Sequence, residues 1–182
     1  MLSLDAVPFS KLGAYIRALQ LSLPPGTSAI VGFSTRSNSV SYMSTAFLQA
    51  SIPFLARKHV TESQAKSISQ PGKSTAGRCP SLAMKPTPLL TSLDYNLKLL
   101  TSGAAPMLVE SVQNVSAQYA DHLDRYVQEL TDVPNVRDRF AAQWGMAGWR
   151  EERALVAWEA ALFRAGLMSR WAIFVTRRGQ SQ

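Results

Sequence analysis

The chain has 182 residues, 46% of them hydrophobic and 17% charged, with a net charge of +7 and a single cysteine, Cys79. Such a length suits one modest domain, or a smaller domain with an extension, and one cysteine excludes an internal disulfide framework and the usual Cys-rich zinc sites. The positive charge suggests a nucleic-acid binder at first. It is unevenly placed, however: residues 1–90 hold nine Lys/Arg and two acids, whereas residues 91–182 hold ten of each.

Residues Pro8 to Leu23 form an amphipathic segment, with Leu12, Tyr15, Ile16, Leu19 and Leu23 on one face and Lys11 and Arg17 off it. Pro24, Pro25 and Gly26 stop this helix. A basic amphipathic opening, many serines and almost no acids make up the composition of a mitochondrial import sequence. Asp5, Lys11 and Arg17 interrupt the continuous apolar core that a secretory signal needs. Residues 1–90 are therefore expected to be an extended or disordered basic region, either a targeting segment or an arm.

Between Arg36 and Arg57 the chain carries no charge, which is close to the length of a bilayer span. Eight polar residues and Pro53 make the interval too polar to insert, so Phe47, Leu48, Ile52, Phe54 and Leu55 are expected to form a short interfacial or partner-bound helix. From Thr61 to Pro88 the composition turns to Ser, Gln, Lys, Gly and Pro, which reads as linker. The linker's Gly72-Lys73-Ser74 resembles the end of a phosphate-binding loop, but the earlier glycine of that motif is missing at Ser67 and no apolar strand precedes it.

Residues 91–182 read as helical throughout. Ser92 caps a short helix over Leu93 to Leu100, with Asp94 in its first turn. The alternation of Leu93, Tyr95, Leu97 and Leu99 also suits a strand. Leu108, Val112, Val115, Tyr119, Leu123, Tyr126 and Leu130 recur at steps of three and four, which predicts one long helix from Pro106 to about Leu130. Asn135 caps a third helix over Val136 to about Met146, and Gly145 and Gly148 mark a bend. The last stretch, Trp149 to Val175, has no Pro and few interruptions, and predicts a final helix that is apolar on two sides.

Two apolar sides imply burial by other elements or by partners. The interface candidates are Trp149, Leu155, Trp158, Leu162, Phe163, Leu167, Trp171 and Phe174. The expected core includes Val112, Val115, Tyr119, Leu123, Tyr126, Phe140, Trp144, Leu155, Trp158 and Leu162.

The fold class expected from these patterns is mostly α, an irregular antiparallel helical hairpin or bundle in residues 91–182, preceded by the extended or disordered basic region. Chemistry is sparse: His122 stands alone beside the long apolar stripe, His59 lies in the linker region, and no catalytic, cofactor-binding or metal-ligating set is evident. The expected function is that of a non-catalytic structural accessory subunit of a large mitochondrial inner-membrane assembly, an ATP synthase or respiratory complex. Its expected partners are the protein subunits of that complex, with peripheral lipid contact through residues such as Trp171 and Arg170. The alternative is a mitochondrial ribosomal or other RNA-associated protein using the basic arm, because residues 91–182 are electrically neutral and offer nucleic acid no footprint of their own. A small matrix enzyme or helical ligand carrier ranks third.

Overall fold

The computed structural model describes residues 2–42, 44–49, 87–103 and 105–178. The linker with Gly72-Lys73-Ser74, His59, Cys79 and the Ile52 to Leu55 part of the expected interfacial helix lie outside the described residues. Among the described residues these elements follow one another: β1 (Leu2–Ser3), α1 (Phe9–Ser22), β2 (Ser28–Arg36), α2 (Thr87–Leu90), α3 (Leu93–Thr101), β3 (Met107–Asn114), α4 (Ser116–Asp132), α5 (Pro134–Arg164) and β4 (Met168–Arg177). The four strands form one mixed sheet in the order β1-β2-β4-β3. β1 is parallel to β2, and β4 runs antiparallel to both of its neighbours.

This architecture corrects the all-helical expectation twice over. Residues 2–36, expected to be extended or disordered, supply β1, α1 and β2. Each of the two longest predicted helices is part strand. The segment 107–114 read as helical because Leu108 and Val112 stand four apart and continue the stepped stripe of the helix that follows, yet it pairs along β4 as a strand with a bulge in it. Val109 pairs with Val175 and Val112 with Ile173, while the register slips by one residue between Val109 and Ser111. The extra residue, Glu110, shifts the register by one, so Leu108 and Val112, which would share a side of a helix, lie on opposite faces of this strand.

The final segment misled for a different reason. β4 lies inside the sheet, between β2 and β3, and it buries Met168, Arg170 and Ala172 from one face and Ile173 and Val175 from the other. A central strand buried on both faces is as continuously apolar as a buried helix, and periodicity alone does not separate them. The break is Gly166, with φ 67°, whose N–H donates to the Phe163 carbonyl at 3.1 Å just after α5 ends. A glycine in the left-handed region is the ordinary way to terminate a helix.

The chain divides into two compact units, one of Met1–Ser41, Lys85–Ser116 and Leu167–Gln182, the other of Tyr42–Met84 and Ala117–Gly166. In the first, α1 joins the parallel pair β1 and β2, since parallel neighbours need a crossover of this length. Its apolar face forms as the sequence pattern requires, with Leu12 and Ile16 fully buried. They pack with Leu4, Val31, Phe33, Leu100, Met107, Ile173 and Val175 in one core. α3 begins at the expected cap, where the Ser92 hydroxyl accepts from the Tyr95 N–H at 3.2 Å.

The second unit contains α5 and nearly all of α4. α4 buries Ala120, Leu123 and Leu130, and α5 buries Trp149, Val156, Ala160, Leu162 and Phe163. The Trp149 indole donates to the Leu130 carbonyl at 2.9 Å, which satisfies a ring N–H inside an apolar setting. α5 breaks its helical conformation at Gly145, where φ is 75° and ψ 164°, at the place the glycine pair predicted a bend. Leu123 and Leu162 take the core positions expected of them, whereas Val112 and Trp158 are 38% and 45% exposed and are not core residues. No helix of the described residues is long and apolar enough to cross a membrane.

Candidate functional site

Open α/β sheets bind ligands outside the carboxyl ends of their parallel strands, where loops rather than side-chain layers cap the sheet. In this fold that end belongs to β1 and β2. The parallel pairing continues one residue past β1, as the Leu4 N–H donates to the Gly32 carbonyl at 2.9 Å. The chain then turns tightly, with the Val7 N–H donating to the Leu4 carbonyl at 3.0 Å, and α1 begins at Phe9.

Asp5 sits in this turn and is 8% exposed. Its carboxylate accepts from the Ser34 N–H at 2.7 Å and from the Ser34 hydroxyl at 3.1 Å, and it also accepts from the Arg170 guanidinium. Arg170 comes from β4, where it lies directly opposite Ser34 in register, and its Nη1 reaches the Ser34 hydroxyl at 2.9 Å. Arg170 is itself 5% exposed. The network therefore joins the turn after β1, the end of β2 and the start of β4 through buried, charge-assisted hydrogen bonds.

Further polar groups surround it. Thr87, at the start of α2, donates its hydroxyl to the Val7 carbonyl. The Trp171 indole donates to the Thr35 hydroxyl at 3.0 Å. The backbone N–H of Arg170 donates to the Ser116 hydroxyl at 2.9 Å, and its carbonyl accepts from the Val115 N–H at 2.8 Å. Beyond β2, Ser37, Asn38 and Ser39 follow, with the Ser37 and Ser39 hydroxyls 2.9 Å apart at the surface. Both oxygens of Asp5 are engaged, so the carboxylate acts as an oriented charge that shapes its turn rather than as a loose nucleophile.

A separate polar cluster lies in the second unit. Arg164 donates from Nε to Asp124 at 2.9 Å and from Nη2 to Asp121 at 2.8 Å. Hydrogen bonding to Asp124, and then its charge, hold the guanidinium above its ordinary pKa. The group is exposed and screened by water, so it fastens α4 to α5 at the surface without creating a reactive centre. Beside it the Tyr119 hydroxyl donates to Glu159 at 3.3 Å, and the Tyr119 ring meets Phe163 edge-on at 5.0 Å. Among the described residues no group of three or more His, Cys, Asp or Glu is placed to hold a metal ion, and His122 is exposed on α4.

The eight interface candidates do not share one helix. Trp149, Leu155, Trp158, Leu162 and Phe163 belong to α5, Leu167 to the connection, and Trp171 and Phe174 to β4. Trp149, Leu162 and Phe163 are buried within the chain, Leu155, Leu167, Trp171 and Phe174 are half-buried, and Trp158 is exposed. The residues that matter at the strand ends, Asp5, Ser34 and Arg170, were not singled out as a set by sequence reasoning. One signal was available: Asp5 is one of two acids among the first 90 residues, and an isolated acid inside an apolar stretch asks for a partner.

No protein family and no curated protein matches the chain in sequence. Among solved structures it resembles a Haemonchus contortus phosphoethanolamine N-methyltransferase 2, in complex with phosphomonomethylethanolamine and S-adenosylhomocysteine, with a TM-score of 0.54 at 11% identity. The match takes in 93% of this chain, which spans 31% of the length of the other. The likeness overturns the expectation of a purely helical bundle, and it counts against the expectation of a chain that is not an enzyme, since the solved chain whose fold it shares is a methyltransferase.

Proposed function

We propose that this chain carries part of an S-adenosylmethionine-dependent methyltransferase domain that acts on a small polar acceptor. The observation that carries this reading is the mixed sheet, with its parallel pair β1 and β2 and the antiparallel β4 inserted between β2 and β3, followed over 93% of the chain by the fold of a methyltransferase. The ligand end is the carboxyl end of β1 and β2, where Asp5, Ser34 and Arg170 form a buried polar network. S-adenosylhomocysteine and phosphomonomethylethanolamine, the two ligands held by the structural neighbour, are the first compounds to test.

The test is isothermal titration with S-adenosylhomocysteine, followed by transfer of labelled methyl groups from S-adenosylmethionine to phosphoethanolamine and its monomethyl derivative. Saturable binding that raises the melting temperature is the expected result. Absence of binding, both to these 182 residues and to the longest natural polypeptide containing them, overturns the reading.

A mitochondrial address, and membership of a larger assembly there, stand as separate proposals supported by the composition of residues 1–90. Import would have to leave residues 2–36 in place, because they supply β1, α1 and β2. Amino-terminal sequencing of protein recovered from the organelle checks this, and a mature chain beginning after Arg36 argues against it.

A further inference from the structure

Arg170 ties the turn after β1 to the ends of β2 and β4 with a buried charge. It reaches both Asp5 and Ser34 from β4, and its own backbone is held on both sides, by Ser116 through the N–H and by Val115 through the carbonyl. A buried ion pair of this kind is a poor way to gain stability, since desolvation of both charges offsets most of their attraction and an apolar pair of the same volume does as well. What such a pair does supply is a fixed geometry. Here it adds to the Leu4 to Gly32 and Val7 to Leu4 backbone bonds and to the Thr87 bond on the Val7 carbonyl, and it holds the turn of residues 4–7 against the ends of β2 and β4.

We propose that Arg170 is a positioning residue: it fixes the Asp5 turn in the form that receives ligand at the carboxyl ends of β1 and β2, so ligand affinity depends on the Arg170 to Asp5 and Ser34 network beyond its part in folding. The proposal rests on the methyltransferase reading. It predicts that removing both charges while keeping the hydrogen-bonding groups leaves a folded protein with a looser turn. A ligand site whose supporting groups lose their fixed geometry loses affinity by about tenfold or more.

The experiment uses the full chain, S-adenosylhomocysteine as the probe, and two readouts: melting temperature and the dissociation constant from calorimetry. The double variant Asp5→Asn with Arg170→Gln is neutral at both positions, so neither partner is left as an unpaired buried charge. Near wild-type melting with affinity about tenfold weaker is the expected result. Arg170→Lys, which restores charge without the planar fork, is expected to recover part of that affinity when Asp5 is present. Should the double variant fail to fold, Ser34→Ala keeps the ion pair and removes the hydroxyl shared by Asp5 and Arg170, and a loss of about threefold in affinity is expected from it. If wild-type protein binds the probe and the folded variants bind it equally well, the network is a staple and the positioning role is overturned. If neither these 182 residues nor the longest natural polypeptide containing them binds the probe, the methyltransferase reading fails and takes this proposal with it.

Discussion

Gln20 shows how a single polar side chain can terminate an element to which it does not belong. It is 2% exposed on α1, and its Nε2 lies 3.2 Å from the Leu99 carbonyl, 2.8 Å from that of Leu100 and 3.0 Å from that of Ser102. The last carbonyls of a helix have no intrahelical donor, so α3 takes one from α1. Replacing Gln20 with Met keeps the length and removes the donor. The expected cost is about 1–3 kcal/mol in urea unfolding, because buried carbonyls lose their partner. A change below about 0.5 kcal/mol, the range of ordinary surface substitutions, would show that water takes over the cap. The contrast with Arg164 is instructive: its two carboxylate partners are close, but all three groups are exposed, and salt screens them. In the sequence Gln20 is a polar residue at the border of an apolar face, and nothing in the pattern shows which carbonyls it meets.

At the scale of elements, the least legible features are the two segments where strand imitates helix. In β3 Leu108 and Val112 carry on the stepped pattern of the helix that follows, and in β4 burial on both faces removes the alternation altogether. Glycines were the better guide. Gly166 ends α5 and Gly145 breaks it, each with a positive φ that other residues adopt only with strain. A Cβ at Gly145 would meet nothing within 4 Å, so a substitution there tests the backbone alone. Gly145→Ala is expected to destabilise by about 1–3 kcal/mol, since φ 75° with ψ 164° is a region that glycine nearly monopolises. Equilibrium denaturation measures this, and a stabilised variant would mean that α5 runs straight through the position.

For the whole molecule, the decisive fact is that the sheet is assembled from distant parts of the chain. β2 pairs with β4 over nine residue pairs, from Ser28 with Thr176 to Arg36 with Met168. The core that α1 completes includes Leu4, Val31 and Phe33 from the first 36 residues and Ile173 and Val175 from the last ten described before Arg178. A chain beginning at residue 91 therefore lacks β1 and β2, two of the four strands, and leaves β4 paired on one side alone. It is expected to lose cooperative unfolding and to expose the apolar face of β4, which calorimetry and dye binding detect. A sharp, unchanged transition in the 91–182 piece would mean that the helical part folds without the sheet.

Local signals in the sequence were sufficient for local structure. The helix over Phe9–Ser22, the Ser92 cap, the bend at Gly145 and the amphipathic second half of the 106–130 segment depend on neighbours within a few residues, and side-chain period and backbone freedom record them directly. The charge division between the two halves is likewise a property of the sequence alone. Tertiary structure decided which apolar runs are strands, because pairing partners about 60 to 150 residues away supply the hydrogen bonds that choose between helix and strand when periodicity is ambiguous. It also decided the candidate site: Asp5, Ser34 and Arg170 are separated by 29 and 136 residues, and the pairing of β1 with β2 and of β2 with β4 brings them together.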